Sequence, residues 1–141
     1  MNMKMIDLTF DQITIGQTAE FEQVISDEDM AAFASLTGNL NPLHTDEAYA
    51  AGTQFGGIIV YGMLAASYFS TLLGMYLPGK RALCLSQSFD YRKPIRPGEK
   101  VIVKGTVTHR SPATRILTIK TEVLNERGEA CVDGSATVQV L

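Results

Sequence analysis

Two histidines occur in the chain, and their surroundings differ sharply. His44 falls in Thr37-Gly38-Asn39-Leu40-Asn41-Pro42-Leu43-His44-Thr45-Asp46, a run dense in amide, hydroxyl and carboxylate groups. An imidazole near an amide in a stiff loop suits the activation of water: the ring exchanges a proton near neutral pH and the amide orients the oxygen. The same run also reads as turn chemistry alone, the end of one helix and the start of another, with Asn, Gly, Pro, Thr and Asp as its caps. His109, in Val107-Thr108-His109-Arg110, ends an alternating run beside a turn and reads as a solvated turn histidine.

Other chemistries lack the residues they need. Two isolated cysteines and two distant histidines provide no set of metal ligands. Cys84 and Cys131 each sit in an apolar alternating run, the habit of buried free thiols. Gly52, Gly56 and Gly57 lack the strand-to-helix setting of a nucleotide-binding loop. A net charge of −3 and the lack of a basic stripe argue against a nucleic-acid partner. The stretch Ile58 to Leu77 is interrupted by Tyr61, Gly62, Ser67, Tyr68, Ser70, Thr71 and Gly74, too mixed to span a membrane. The N-terminus has no long apolar stretch of the signal-peptide kind, so a cytoplasmic location is expected.

The elements that must carry His44 follow from periodicity. No repeat or linker divides residues 1–141, which read as one domain. Thr18 to Ile25 alternates as a first strand. Ser26 then caps a helix over Asp27 to Leu36, with Glu28 and Asp29 in its first turn and Gly38 near its end. Asn39 to Leu43 is expected to be loop, because its Asn-Pro step disfavours helix. Asp46 to Ala51 reads as a short helix. Tyr61 to Tyr76 is expected to be about four turns of helix, apolar almost all round and therefore buried, with Pro78-Gly79 stopping it.

Beyond that helix the period switches to two. Ala82–Arg92, Lys100–Arg110, Arg115–Asn125 and Ala130–Val140 are strand-like runs separated by credible turns. Leu117, Ile119, Thr121 and Val123 share one mostly apolar face, as in an antiparallel sheet with one side buried. A long apolar helix and such strands predict an α+β hotdog fold, a five-stranded antiparallel sheet wrapped around a central helix. Its long edge strands point to a homodimer.

Several blocks carry a resemblance. Phe33 to Asp46 is similar to the hydratase motif of the MaoC-like family, and Phe55 to Met63 resembles the family segment that opens the central helix. Ser70 to Gly74, Leu77 to Gly79 and the turn Pro94 to Glu99 follow in the same order. The likeness is strongest to short, stand-alone (R)-specific enoyl-CoA hydratases, several of which supply monomers for polyhydroxyalkanoate synthesis. It implies reversible hydration of a trans-2-enoyl thioester, carried by CoA or an acyl carrier, to the (R)-3-hydroxyacyl product without a cofactor. In such enzymes an Asp and a His hold one water, while an amide at the start of the central helix polarises the thioester carbonyl.

The resemblance assigns His44 to the histidine, the Gly62 amide to the carbonyl donor, and Ser70 to a serine that orients the catalytic side chains. Asn41, Tyr61, Met63 and Arg92 are the expected substrate contacts. Met63, Leu64, Tyr68 and Leu72 are candidate walls for the acyl chain, and Arg81, Arg92 and Lys93 form a basic cluster for the phosphates. Two positions depart from the family. Asn39 stands where it has the catalytic aspartate, and Tyr61 where it has a histidine. An asparagine can hold water but cannot take its proton near neutral pH. Asn39 is thus an engineered replacement, a natural site in which His44 alone moves protons, or the mark of a protein that binds acyl thioesters without turning them over.

Overall fold

The computed structural model describes residues 4–141. A 3₁₀ turn at Phe10–Gln12 leads into strand β1, Thr18–Val24, and helix α1, Asp27–Thr37. Helices α2, Pro42–Thr45, and α3, Glu47–Ala51, follow before the central helix α4, Gly62–Thr71. Strands β2, Ala82–Tyr91; β3, Lys100–Ser111; β4, Ile116–Leu124; and β5, Ala130–Val140 complete the chain. All pairings are antiparallel, in the order β1-β3-β4-β5-β2. This is the expected five-stranded hotdog arrangement, and each predicted strand lies within about a residue of the observed one.

The sheet and α4 meet because each has one face that cannot stay in water. Alternate residues of β3 and β4, Val101, Val103, Val107, Leu117, Ile119 and Val123, are at most 1% exposed. Val101, Val103 and Val123 cluster with Leu64, Ala65, Ala66 and Phe69 of α4, which are buried as well, while Val107, Leu117 and Ile119 cluster with Leu73 and Leu77 beyond its end. The helix has the expected span but changes its winding near the end. Its α-helical part ends at Thr71, and Leu72–Tyr76 forms a wider π-helical turn that carries Leu72 and Leu73 into the core.

Two local expectations need correction. Asn39 to Leu43 is not all loop: Asn41 caps α2, accepting from the Leu43 N–H at 3.0 Å, and Pro42 takes the first helical position. Proline there loses no intrahelical hydrogen bond, so the Asn-Pro step starts a helix. Cys84 is exposed, whereas Cys131 is buried as expected. Cys84 sits on β2, an edge strand whose register with β5 slips between Cys84 and Ser86, and most of that strand faces solvent.

Helix α1 is fixed at both ends as its sequence implies. Ser26 Oγ accepts from the Asp29 N–H at 3.1 Å, and Asp29 Oδ2 accepts from the Ser26 N–H at 2.9 Å. Gly38 closes the helix in the left-handed region at φ 78°. The chain then turns straight into the His44 segment.

Candidate active site

His44 occupies the last turn of α2, half-buried. Its Nδ1 lies 2.8 Å from the Ile59 carbonyl oxygen. A carbonyl can only accept, so Nδ1 carries a proton, and in the corresponding neutral tautomer Nε2 is the acceptor. The face of the ring is held too, by the Tyr61 ring at 4.2 Å between centroids and 28° between planes.

His44 and Gly62 line one cleft of about 380 Å³. Gly62 is the first residue of α4, and the preceding Tyr61 offers no side-chain cap. The first amides of a helix have no partner within it and carry its positive dipole end. The α1, α2 and α3 starts are each capped by a side chain, Ser26, Asn41 and Asp46. Among the α-helices of the described residues, the α4 start alone has no side-chain cap. A side chain there would crowd Tyr91, since a Cβ would lie 2.7 Å from its ring.

The cleft walls come from parts of the chain that periodicity does not connect. Phe55, Val60 and Ala65 face Tyr91, Ile95 and Val132 across it. None of those six was singled out from the sequence, because only the β5–β2 pairing brings Val132 beside Tyr91. The walls expected for the acyl chain do not line this cleft. Leu64 and Leu72 are buried in the core, Tyr68 packs against it, and Met63 is 56% exposed on the outer side of α4. Cys131 also lines the cleft, with burial raising its thiol above the usual range.

Arg92 and Lys93 stand at the cleft, but both are already paired. Arg92 donates to Asp133 at 3.0 Å and Asp90 at 3.1 Å, and Lys93 donates to Glu129. Arg81 does not join them within one protomer. It pairs with Asp7 just before β2, ten residues of extended chain from Arg92, roughly 30 Å away.

Of the remaining expected site residues, Asn39 is exposed, and its Oδ1 accepts from the Asn41 N–H at 3.0 Å. That bond occupies Oδ1 and leaves the Asn39 NH₂ as a donor. The Asn41 side chain is committed to capping α2. Tyr61 is 2% exposed and donates its hydroxyl to the Asn39 carbonyl at 2.6 Å, while burial raises its phenol above the usual range. Ser70 is exposed on α4, eight residues or about 12 Å beyond Gly62, outside the cleft.

Sequence comparison decides the family. Residues 10–127 match the MaoC-like domain. This chain belongs to the MaoC-like family. The MaoC-like chain is 39% identical to the (R)-specific enoyl-CoA hydratase of Aeromonas caviae, over 91% of this chain and 96% of that one. It is 36% identical to the 3-hydroxybutyryl-CoA dehydratase of Methylorubrum extorquens, over 94% and 84%. Its fold superposes on the (R)-hydratase of Aeromonas caviae involved in polyhydroxyalkanoate biosynthesis with a TM-score of 0.88, covering 92% of this chain and 98% of that one. The unliganded R-hydratase of Pseudomonas aeruginosa gives 0.89 at 32% identity, covering 95% and 86%.

Proposed function

We propose that this MaoC-like domain catalyses the reversible addition of water to a trans-2-enoyl-CoA, giving the (R)-3-hydroxyacyl-CoA. One observation carries the reading: His44, its Nδ1 fixed on the Ile59 carbonyl, and the uncapped start of α4 line a single cleft. The thioester carbonyl accepts from the Gly62 N–H, which draws electron density from C3. Asn39 donates to a water, and His44 Nε2 takes one of its protons as the oxygen bonds to C3. Negative charge gathers on the thioester oxygen at Gly62 until His44 returns the proton to C2 on the same face. One imidazole thus carries the proton both ways, and the amide holds the charge that develops between the two steps.

The substrate is the only small molecule required, and no cofactor takes part. We infer that two copies pair through one continuous surface. The outer side of α4 exposes Met63, Ser67 and Ser70, and β2 is an open edge exposing Leu83, Leu85 and Tyr91. An exposed apolar edge strand calls for a partner strand. Antiparallel pairing of β2 about a twofold axis would bring the Arg81 end of one copy toward the Arg92 end of the other. The proposed basic cluster for phosphates, and the orienting role of Ser70, would then arise only in the dimer. Among the described residues no helix is long and apolar enough to cross a membrane.

The test is hydration of crotonyl-CoA, followed by loss of enoyl absorbance, for this chain beside its Asn39→Asp variant. Measurable hydration by the chain is expected, with a gain of roughly 10²-fold in the variant, the scale of one added acid–base group. Silence from both would end the hydratase reading. Acyl-CoA binding without turnover would then leave a protein that holds thioesters.

A further inference from the structure

We propose that Tyr61 is a positioning residue: its ring and hydroxyl hold His44 and the Asn39 segment in register with the Gly62 amide. The proposal rests on the hydration activity above and deepens it. Three catalytic pieces come from three stretches of chain, and Tyr61 touches all of them. Its ring stacks on His44 with centroids 4.2 Å apart. Its hydroxyl donates to the main-chain carbonyl of Asn39 at 2.6 Å. Its own carbonyl accepts the Ala65 N–H at 3.1 Å, starting the hydrogen-bond ladder of α4 one residue before Gly62.

A tyrosine that only filled space would need no hydroxyl. The ring already packs on Phe33, with centroids 4.7 Å apart, and a phenylalanine would occupy the same room. The hydroxyl adds a tether across 22 residues of sequence, and a buried phenol makes such a bond because leaving it unpaired is costly. The bond goes to the Asn39 backbone, so it fixes where the Asn39 amide starts from whatever that side chain does. His44 is held on an edge by Ile59 and on a face by Tyr61, two contacts that together set the orientation of the ring. With its hydroxyl spent on Asn39, Tyr61 acts on the reaction through its neighbours.

Tyr61→Phe and Tyr61→Leu in the full chain separate the tether from the stack. Each is measured for kcat and KM on crotonyl-CoA, for thermal melting, and for the ¹H and ¹⁵N resonances of the two imidazoles, with exposed His109 as the internal control. Tyr61→Phe is expected to lower kcat roughly 5- to 10-fold, the scale of one lost hydrogen bond, with KM and the His44 resonances nearly unchanged. Tyr61→Leu is expected to shift the His44 ring signals through loss of the ring current and to lower kcat further. Wild-type kcat in Tyr61→Phe would overturn the tether, and His44 signals unmoved in Tyr61→Leu would overturn the stack. If the parent chain itself hydrates nothing, the hydratase reading falls, and the His44 signals still decide whether the stack exists.

Discussion

The turn that joins β4 to β5 and the cleft beside α4 meet at Lys93, and they treat their polar groups in opposite ways. In the turn the Glu129 carboxylate is surrounded by donors. Glu129 accepts from Lys93, from Arg127 at 2.7 Å and from Asn125 at 3.0 Å, while Asn125 Oδ1 accepts from the Arg127 and Glu129 amides. In the cleft the start of α4 has no side-chain cap, and one nitrogen of His44 is left over after the other is fixed. Polar groups left open at a concave surface are met by water, which a ligand with matching groups can replace. On the proposed reading, the difference separates residues that shape the chain from residues that wait for substrate.

The sharpest way to break that comparison is to remove the open amide. Proline is tolerated at the first position of a helix, and Tyr61, at φ −54° and ψ 126°, already has a backbone suited to the residue before a proline. Tyr91 crowds the site, so the pair to compare is Gly62→Pro with Tyr91→Ala against Gly62→Ala with Tyr91→Ala. Both make the same room, and only the second keeps the N–H. The proline pair is expected to lose about 10²- to 10³-fold in kcat on crotonyl-CoA relative to the alanine pair, the usual effect of one oxyanion donor. Equal rates would mean that the uncapped end serves nothing, and the contrast with the turn would lose its functional meaning.

What could be seen in the sequence divides along the same line. The alternation of Leu117, Ile119, Thr121 and Val123 announces a strand because the pleat forces a period of two, and those residues are the ones buried. Ser26 and Asp29 announce a helix start because both halves of a capping box lie within four residues. The cleft walls are silent for the opposite reason. Tyr91 and Val132 meet through strand order, which local pattern does not encode. Asn41-Pro42 misleads for a subtler reason, since the backbone that keeps a residue before proline out of helix is also the backbone of an N-cap. Asn39 and Tyr61 stand out only against a family pattern, and their hydrogen bond links positions too distant for spacing to suggest it.

A smaller effect sharpens the comparison from the closed side. Ser26→Ala empties one filled helix start, leaving the Asp29 amide to water and the Asp29 carboxylate with the Ser26 backbone N–H alone. The expected cost is about 1 kcal/mol of folding stability. In a domain of this length that is a fall of about 3–4 °C in the melting temperature. kcat on crotonyl-CoA should not move, because Ser26 touches neither the cleft nor the elements that hold His44. A loss of kcat at full stability would show that closed and open ends are coupled, and the division drawn above would fail.

The smallest effect is expected in the turn itself, and it is read through pH. The Lys93, Arg127 and Asn125 donors hold the Glu129 carboxyl down to about 2, against an ordinary value of 4.5. A carboxylate lowered in the folded state stabilises the fold in its charged form. That contribution is therefore whole above pH 4.5 and is lost progressively as pH falls toward 2. Glu129→Gln should melt slightly below the parent at neutral pH, with the gap closing across that acid window as the parent's carboxylate is protonated. Salt should narrow the gap at neutral pH, because these ion pairs lie at the surface and are screened. Melting curves of the two proteins between pH 2 and 6 check it. A gap that stays constant through the window would show that the turn is held by its backbone and Asn125 alone. The crowd of donors around Glu129 would then contribute no more to the fold than the unfilled amide of α4.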